Sequence, residues 1–166
     1  HAAMSKPVSV PGNGEIHTKP EDGNEIFADF TRSHWAYTAV DYLRNKGIIS
    51  GYTDGSFRPG NNITRAEFIK LVSVAFNINY DNAECDFKDV SGDEWFAGFV
   101  AAAYQHGIVT GDENGCFNPA DNITRQDAAV IVYRTALFAG KAFEIDSATE
   151  PFADSESIAD YAANPV

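Results

Sequence analysis

The stretch Gly47-Ile48-Ile49-Ser50-Gly51-Tyr52-Thr53-Asp54-Gly55-Ser56-Phe57-Arg58-Pro59-Gly60-Asn61-Asn62-Ile63-Thr64-Arg65-Ala66-Glu67 decides the fold, because much of it is written twice. Sixty residues on, Gly107-Ile108, Gly111, Gly115, Phe117, Pro119 and Asn122-Ile123-Thr124-Arg125 hold the same positions. The register also runs upstream, with Phe27-Ala28-Asp29 returning as Phe87-Lys88-Asp89 and Trp35 as Trp95. One offset kept over so many aromatic, Gly, Pro and Arg positions is a tandem repeat, and a period of this kind predicts stacked supersecondary units. A third copy opens at Phe152-Ala153-Asp154, and Tyr161-Ala162 echoes Trp35-Ala36. The expected organisation is a first repeat over 27–86, a second over 87–151 and the start of a third over 152–166. Residues 1–26, with three Pro and three Gly and few apolar groups, read as a flexible linker, whose opening His1-Ala2-Ala3-Met4 is set aside as a cloning remnant.

Each full repeat reads as helix, loop, helix. Trp35, Ala39, Tyr42, Leu43 and Lys46 share a helical face, and Gly47 follows where a left-handed cap belongs, so a first helix is predicted over 34–46. From Ile48 to Asn62 the turn formers Gly51, Asp54-Gly55, Pro59-Gly60 and Asn61 make a structured loop. Thr64-Arg65-Ala66-Glu67 fits a capping box, in which the Thr hydroxyl accepts the N3 amide and the Glu carboxylate accepts the N-cap amide. A second helix follows, with Phe68, Leu71, Val72, Ala75 and Phe76 predicted on its buried stripe. The second repeat predicts a helix over 95–106. It then offers Thr124-Arg125-Gln126-Asp127, a box with a shorter acid, and a stripe of Ala128, Ile131, Val132, Thr135 and Ala136. No helix pair can bury both stripes alone, so consecutive repeats must supply the core. The fold class is mostly α, tandem helix-loop-helix repeats with the third incomplete.

Composition removes several functions. With 12 Lys and Arg against 24 Asp and Glu, the net charge of −12 has the wrong sign for gripping a phosphate backbone, so no nucleic-acid partner is expected. No apolar run approaches the ~20 residues of a membrane span, so no membrane insertion is expected either. The chain has no G-x-S-x-G elbow, no phosphate-binding P-loop, no dinucleotide turn and no His or Cys pair at metal-ligand spacing. Thr110 to Gly115 followed by Asp121 copies part of a calcium loop, but lacks the first ligand and the bidentate Glu. No catalytic residue, cofactor or metal is assigned. The acids read as solvated surface, and no enzyme activity is expected.

These residues, Phe-x-Asp, Trp35-Ala36, the Gly47 to Pro59 loop and Ile63-Thr64-Arg65-Ala66-Glu67, resemble the S-layer homology domain. The resemblance covers about residues 27–166 and implies a pseudo-threefold helical bundle of three repeats. It implies an extracellular module at the bacterial cell surface that tethers a surface protein to the wall. The implied ligand is a secondary cell wall polysaccharide bearing a pyruvate ketal, or modified peptidoglycan. Protein–protein assembly in a surface lattice is the alternative. The second repeat departs from the pattern, with Asp112-Glu113-Asn114 for Tyr52-Thr53-Asp54, Cys116 for Ser56, Asn118 for Arg58, and Gln126-Asp127 after Arg125.

Arg65 and Arg125 are the most telling site candidates. A cation in the first turn of a helix opposes the macrodipole, so an anion is wanted nearby. Either a ligand carboxylate supplies it, held by the guanidinium and the free amides of the helix N-terminus beside Thr64, Glu67 and Thr124, or a loop acid such as Asp54 or Asp112 does. Trp35 and Trp95 either stack on a sugar or pack in the core, and Gly55 and Gly115 either serve turns or let a sugar approach the backbone. Phe27, Phe57, Phe87 and Phe117 are expected in the core. Cys85 and Cys116 are close enough in sequence for a bridge closing a loop of about thirty residues in an exported protein. The unfinished third repeat predicts exposed apolar faces, with either self-association through them or lower stability than a chain extended through the missing helix would have.

Overall fold

The computed structural model describes residues 26–141 and 153–163. Except for Ile26, the linker assigned to 1–26 lies outside them, as do Phe152 and the last three residues. The described residues hold helices, turns and two isolated β-bridges, with no named strand. The chain divides into two compact units, the first ending at Asn61 and the second beginning at Asn62.

The first unit contains α1 (Tyr37–Asn45) and the loops on either side of it. The helix starts three residues later than predicted because the chain turns first. His34 O accepts the Tyr37 amide at 2.9 Å, and His34 Nδ1 accepts that of Ala36 at 3.2 Å. It ends as Gly47 predicts. With Gly47 at φ +72°, the Ile48 and Gly47 amides reach back to Leu43 O and Arg44 O, both at 2.9 Å, which is a Schellman closure. Ile26, Phe27, Phe30 and Val40 form the small core, with Tyr37, Ile49 and Phe57 packed on it. The predicted stripe is corrected here. Val40 is the buried residue of α1, whereas Trp35, Ala39, Tyr42 and Lys46 are exposed.

The second unit contains α2 (Arg65–Ala75), α3 (Ala97–Gln105), α4 (Arg125–Phe138), a short 3-10 turn at Ser155–Ser157, and α5 (Asp160–Ala163). Helix α3 reads Ala-Gly-Phe-Val-Ala-Ala-Ala-Tyr-Gln and is buried at six positions, as a helix apolar all round must be. Helix α2 packs on both α3 and α4, and α4 on α5. Its buried residues are Ala66, Ile69, Val72 and Ser73, not the predicted stripe, of which only Val72 is buried. Packing on two helices buries a set of residues that a single stripe does not describe. In α4 the predicted Ile131, Thr135 and Ala136 are buried, while Val132 is exposed. The Thr135 hydroxyl donates to Ile131 O at 2.7 Å, which satisfies a polar group that would otherwise cost stability.

Of the four repeat phenylalanines, Phe27, Phe87 and Phe117 are buried and Phe57 is half-buried. The close glycines explain themselves at Gly111, where a Cβ would stand 2.6 Å from Phe87 Cε1 and 3.1 Å from Cys116 O.

Candidate functional site

The two repeat loops are held by acids. Asp29 accepts the Phe57 amide at 2.6 Å and the Arg58 amide at 2.8 Å, and Asp89 accepts those of Phe117 at 2.8 Å and Asn118 at 2.7 Å. Arg58 and Asn118 are both left-handed, at φ 58°, a conformation that asparagine adopts more readily than arginine and that the clamped amides sustain in both. In the first loop Asp54 also accepts the Ser56 amide and hydroxyl and the Arg58 guanidinium at 2.7 Å. In the second loop the acid has moved two places, and Asp112 accepts from the amides of Asn114 and Cys116 and from Asn118 Nδ2. The sequence departures at 112, 114 and 118 therefore preserve one internal brace. Sequence reasoning missed this role for Asp29 and Asp89, although the repeated Phe-x-Asp was its signal.

At the start of α2 the predicted capping box is complete. Thr64 Oγ1 accepts the Glu67 amide at 3.3 Å, and Glu67 Oε2 accepts the Thr64 amide at 2.8 Å. The Arg65 and Ala66 amides donate to Asp121 O at 2.8 Å and Pro119 O at 3.1 Å. The expectation of free amides there is corrected, since the second repeat's loop already occupies them.

The Arg65 guanidinium has a fixed seat. Its Nε donates to Phe117 O at 2.9 Å, its carbon lies 4.9 Å over the Phe117 ring, and Nη1 stands 3.4 Å from Asp127 Oδ2. Its acid partner is thus on α4, not in a loop at Asp54 or Asp112. Tyr161 completes the cluster by donating from its hydroxyl to Asp127 Oδ1 at 2.7 Å while accepting from Gln126 Nε2 at 2.9 Å. Burial, together with that bond to a carboxylate, pushes the Tyr161 hydroxyl above its ordinary value of 10.0. Arg65, Asp127, Tyr161, Thr110 and Arg134 line a concavity of about 110 Å³ whose apolar wall is Ile108, Val109, Val130 and Ile131. Sequence reasoning found Arg65 but not Asp127, Thr110 or Tyr161, which only packing brings to it.

The other candidates are spread out. Arg125 is exposed, with no side-chain partner among the described residues, and Thr124 caps α4 by accepting the Asp127 amide at 3.2 Å. Trp95 is half-buried against the core, with Lys70 Nζ 5.8 Å over its ring; burial lowers the Lys70 ammonium below 10.5. Trp35 is 91% exposed, so a core role for it is corrected. Gly55 and Gly115 both serve turns, at φ 80° and 76°, and a Cβ at Gly55 would meet nothing within 4 Å. Cys85 and Cys116 are free thiols, and the bridge considered from sequence is not formed. Cys85 packs against the core, whereas the Cys116 backbone is tied to Asp112. No described helix is long and apolar enough to cross a membrane.

The family model of the S-layer homology domain matches residues 26–69 and 86–129, and the chain belongs to that family. This places it at the cell surface, in association with the wall, as a non-catalytic module. It is 32% identical over 81% of its length to an amylopullulanase of Thermoanaerobacterium thermosulfurigenes, of which it spans 7%. It is equally identical, over the same share, to the exoglucanase XynX of Acetivibrio thermocellus, of which it spans 12%. The S-layer protein sap of Bacillus anthracis is 34% identical over 65% of the chain, which spans 13% of that protein. The chain thus spans about a tenth of the length of these curated relatives.

Proposed function

We propose that this chain anchors a larger surface protein by holding an acidic saccharide of the wall, a pyruvate ketal on a secondary cell wall polysaccharide, in the Arg65 concavity. One observation carries the reading. Arg65, held at its Nε by Phe117 O, lines a small cavity that also has an apolar wall. A ketal carbon bears both a carboxylate and a methyl group. The carboxylate suits Arg65, the methyl suits Ile108, Val109, Val130 and Ile131, and sugar hydroxyls suit Thr110 and Tyr161. Arg125, exposed at the equivalent helix start, is proposed as a second contact, and Trp95 and Trp35 as stacking surfaces.

The test is binding to pyruvylated against de-pyruvylated wall glycan. Arg65→Ala should weaken binding to the pyruvylated form by roughly 1.5–3 kcal/mol, about ten- to a hundredfold, with helicity kept. Arg125→Ala should act in the same direction. Binding through one such seat should also fall only gently with salt. Equal binding to both glycans, or to modified peptidoglycan alone, would overturn the ketal reading.

A second reading, assembly with another copy of the chain, is favoured by one observation: among the described residues Ala39 and Tyr42 on α1, and Trp35 just before it, are exposed.

A further inference from the structure

In the first repeat Glu67 spends its carboxylate on its own helix, accepting the Thr64 amide. Asp127, at the same place in the second repeat, is one methylene shorter. Its amide still donates to Thr124 Oγ1, but the return bond to the Thr124 amide is not made. The unspent carboxylate turns to Arg65 on one oxygen and to Tyr161 on the other. Arg65 does not depend on it for orientation, because Nε is bound to Phe117 O and the guanidinium rests on the Phe117 ring. The Nη1 to Oδ2 distance of 3.4 Å is long for a charge-assisted bond, and both side chains keep about a fifth of their surface exposed.

We infer that Asp127 is the resident counter-ion of the groove, which occupies Arg65 and must yield it when an anionic ligand enters. The exchange is of one carboxylate for another, so Asp127 lowers the groove's affinity for anions and leaves neutral ligands untouched. The Glu-to-Asp difference between the repeats thereby becomes a selectivity setting. The inference rests on the reading of the groove as an anion site, and its test separates the two.

The full chain, labelled with nitrogen-15, is titrated with sodium pyruvate while the Arg65 Nε signal is followed, and glycan binding is measured in parallel. Asp127→Asn removes the competing charge. Asp127→Glu keeps a carboxylate but lets it reach the Thr124 amide, whose hydrogen exchange should slow. Both should bind pyruvate and pyruvylated glycan about two- to fivefold tighter than the parent, the range expected for losing a partly exposed pair. De-pyruvylated glycan should bind unchanged. Tyr161→Phe unties α5 but leaves Asp127 on Arg65, and should show no gain in pyruvate affinity; glycan binding is not read for this variant, because its hydroxyl is a proposed sugar contact. A general loosening would not tighten a ligand, so the gain is not a structural side effect. Pyruvate affinity equal to or below the parent's in both Asp127 variants, or the same gain in Tyr161→Phe, would overturn the inference, as would an Arg65 signal that pyruvate never moves. If pyruvate shows the gain while the parent does not distinguish the two glycans, the resident counter-ion stands and the polysaccharide reading falls.

Discussion

Asp89 holds Phe117 by its backbone. Oδ1 accepts the Phe117 amide at 2.8 Å while Oδ2 takes the next amide, so one carboxylate spans two peptide units 28 and 29 residues away. Phe117 in turn carries Arg65 on its ring and its carbonyl, which links the loop brace to the groove. Asp89→Ala should therefore cost about 1–3 kcal/mol of stability, since two amides lose a charged acceptor. It should also weaken anion binding at Arg65. Chemical denaturation and the pyruvate titration check the two effects, and a variant as stable as the parent would show that the loop needs no clamp.

Acid should loosen the loops. Asp29, Asp54 and Asp112 are all held below the ordinary carboxylate value of 3.8, chiefly by the Phe57 amide, the Ser56 hydroxyl and the Cys116 amide respectively. A carboxylate with a lower value in the folded chain stabilises it fully above the unfolded value, and that contribution is lost as the pH falls through the folded one. Tm should be level from about pH 7 to pH 5 and decline below about pH 4. Calorimetry in salt-matched buffers measures it, and a decline already complete at about pH 5 would point to other groups.

Gly111→Ala places a methyl group against the Phe87 ring and the Cys116 carbonyl. The ring is packed in the core and the carbonyl is backbone, so relief is limited, and a loss of about 1–3 kcal/mol is expected from overpacking. Equilibrium unfolding in urea gives the value. A loss too small to measure would mean that the Phe87 ring moves aside freely.

The exposed side of α1 should drive association. In the repeat register Ala39 and Tyr42 correspond to Phe99 and Ala102, both 1% exposed on α3, yet Tyr42 is 60% exposed. Helix α2 packs on α3, whereas on α1 Ala39 and Tyr42 are exposed among the described residues. Sedimentation over a wide range of concentration should show self-association, and Trp35→Ser with Tyr42→Ser should reduce it. A chain that stays monomeric throughout would remove the assembly reading.

The Thr64 to Glu67 box and the glycine stop at Gly47 are legible in the sequence because each is decided by residues within a few positions of one another, and the sixty-residue register because the sequence repeats itself. Helix type and loop content follow from such local chemistry, and the two matched repeats and the family follow from the same residues. The buried faces of α1 and α2 depart from the expected stripes for the opposite reason. A stripe of apolar residues says that something is to be covered, but the neighbour that covers it is chosen by packing. Trp35 and Trp95 are the same residue at the same register position, one exposed and one half-buried, because only the second unit sets a core against its tryptophan. The partner of Arg65 was hidden likewise. Asp127 lies 62 residues away, and its freedom to reach Arg65 depends on a missing methylene at one capping box and on the helix packing that brings α4 beside α2. Local bonding was determined by the sequence alone, whereas burial and long-range pairing were settled only when the helices docked, since those energies depend on what lies across the contact rather than along the chain.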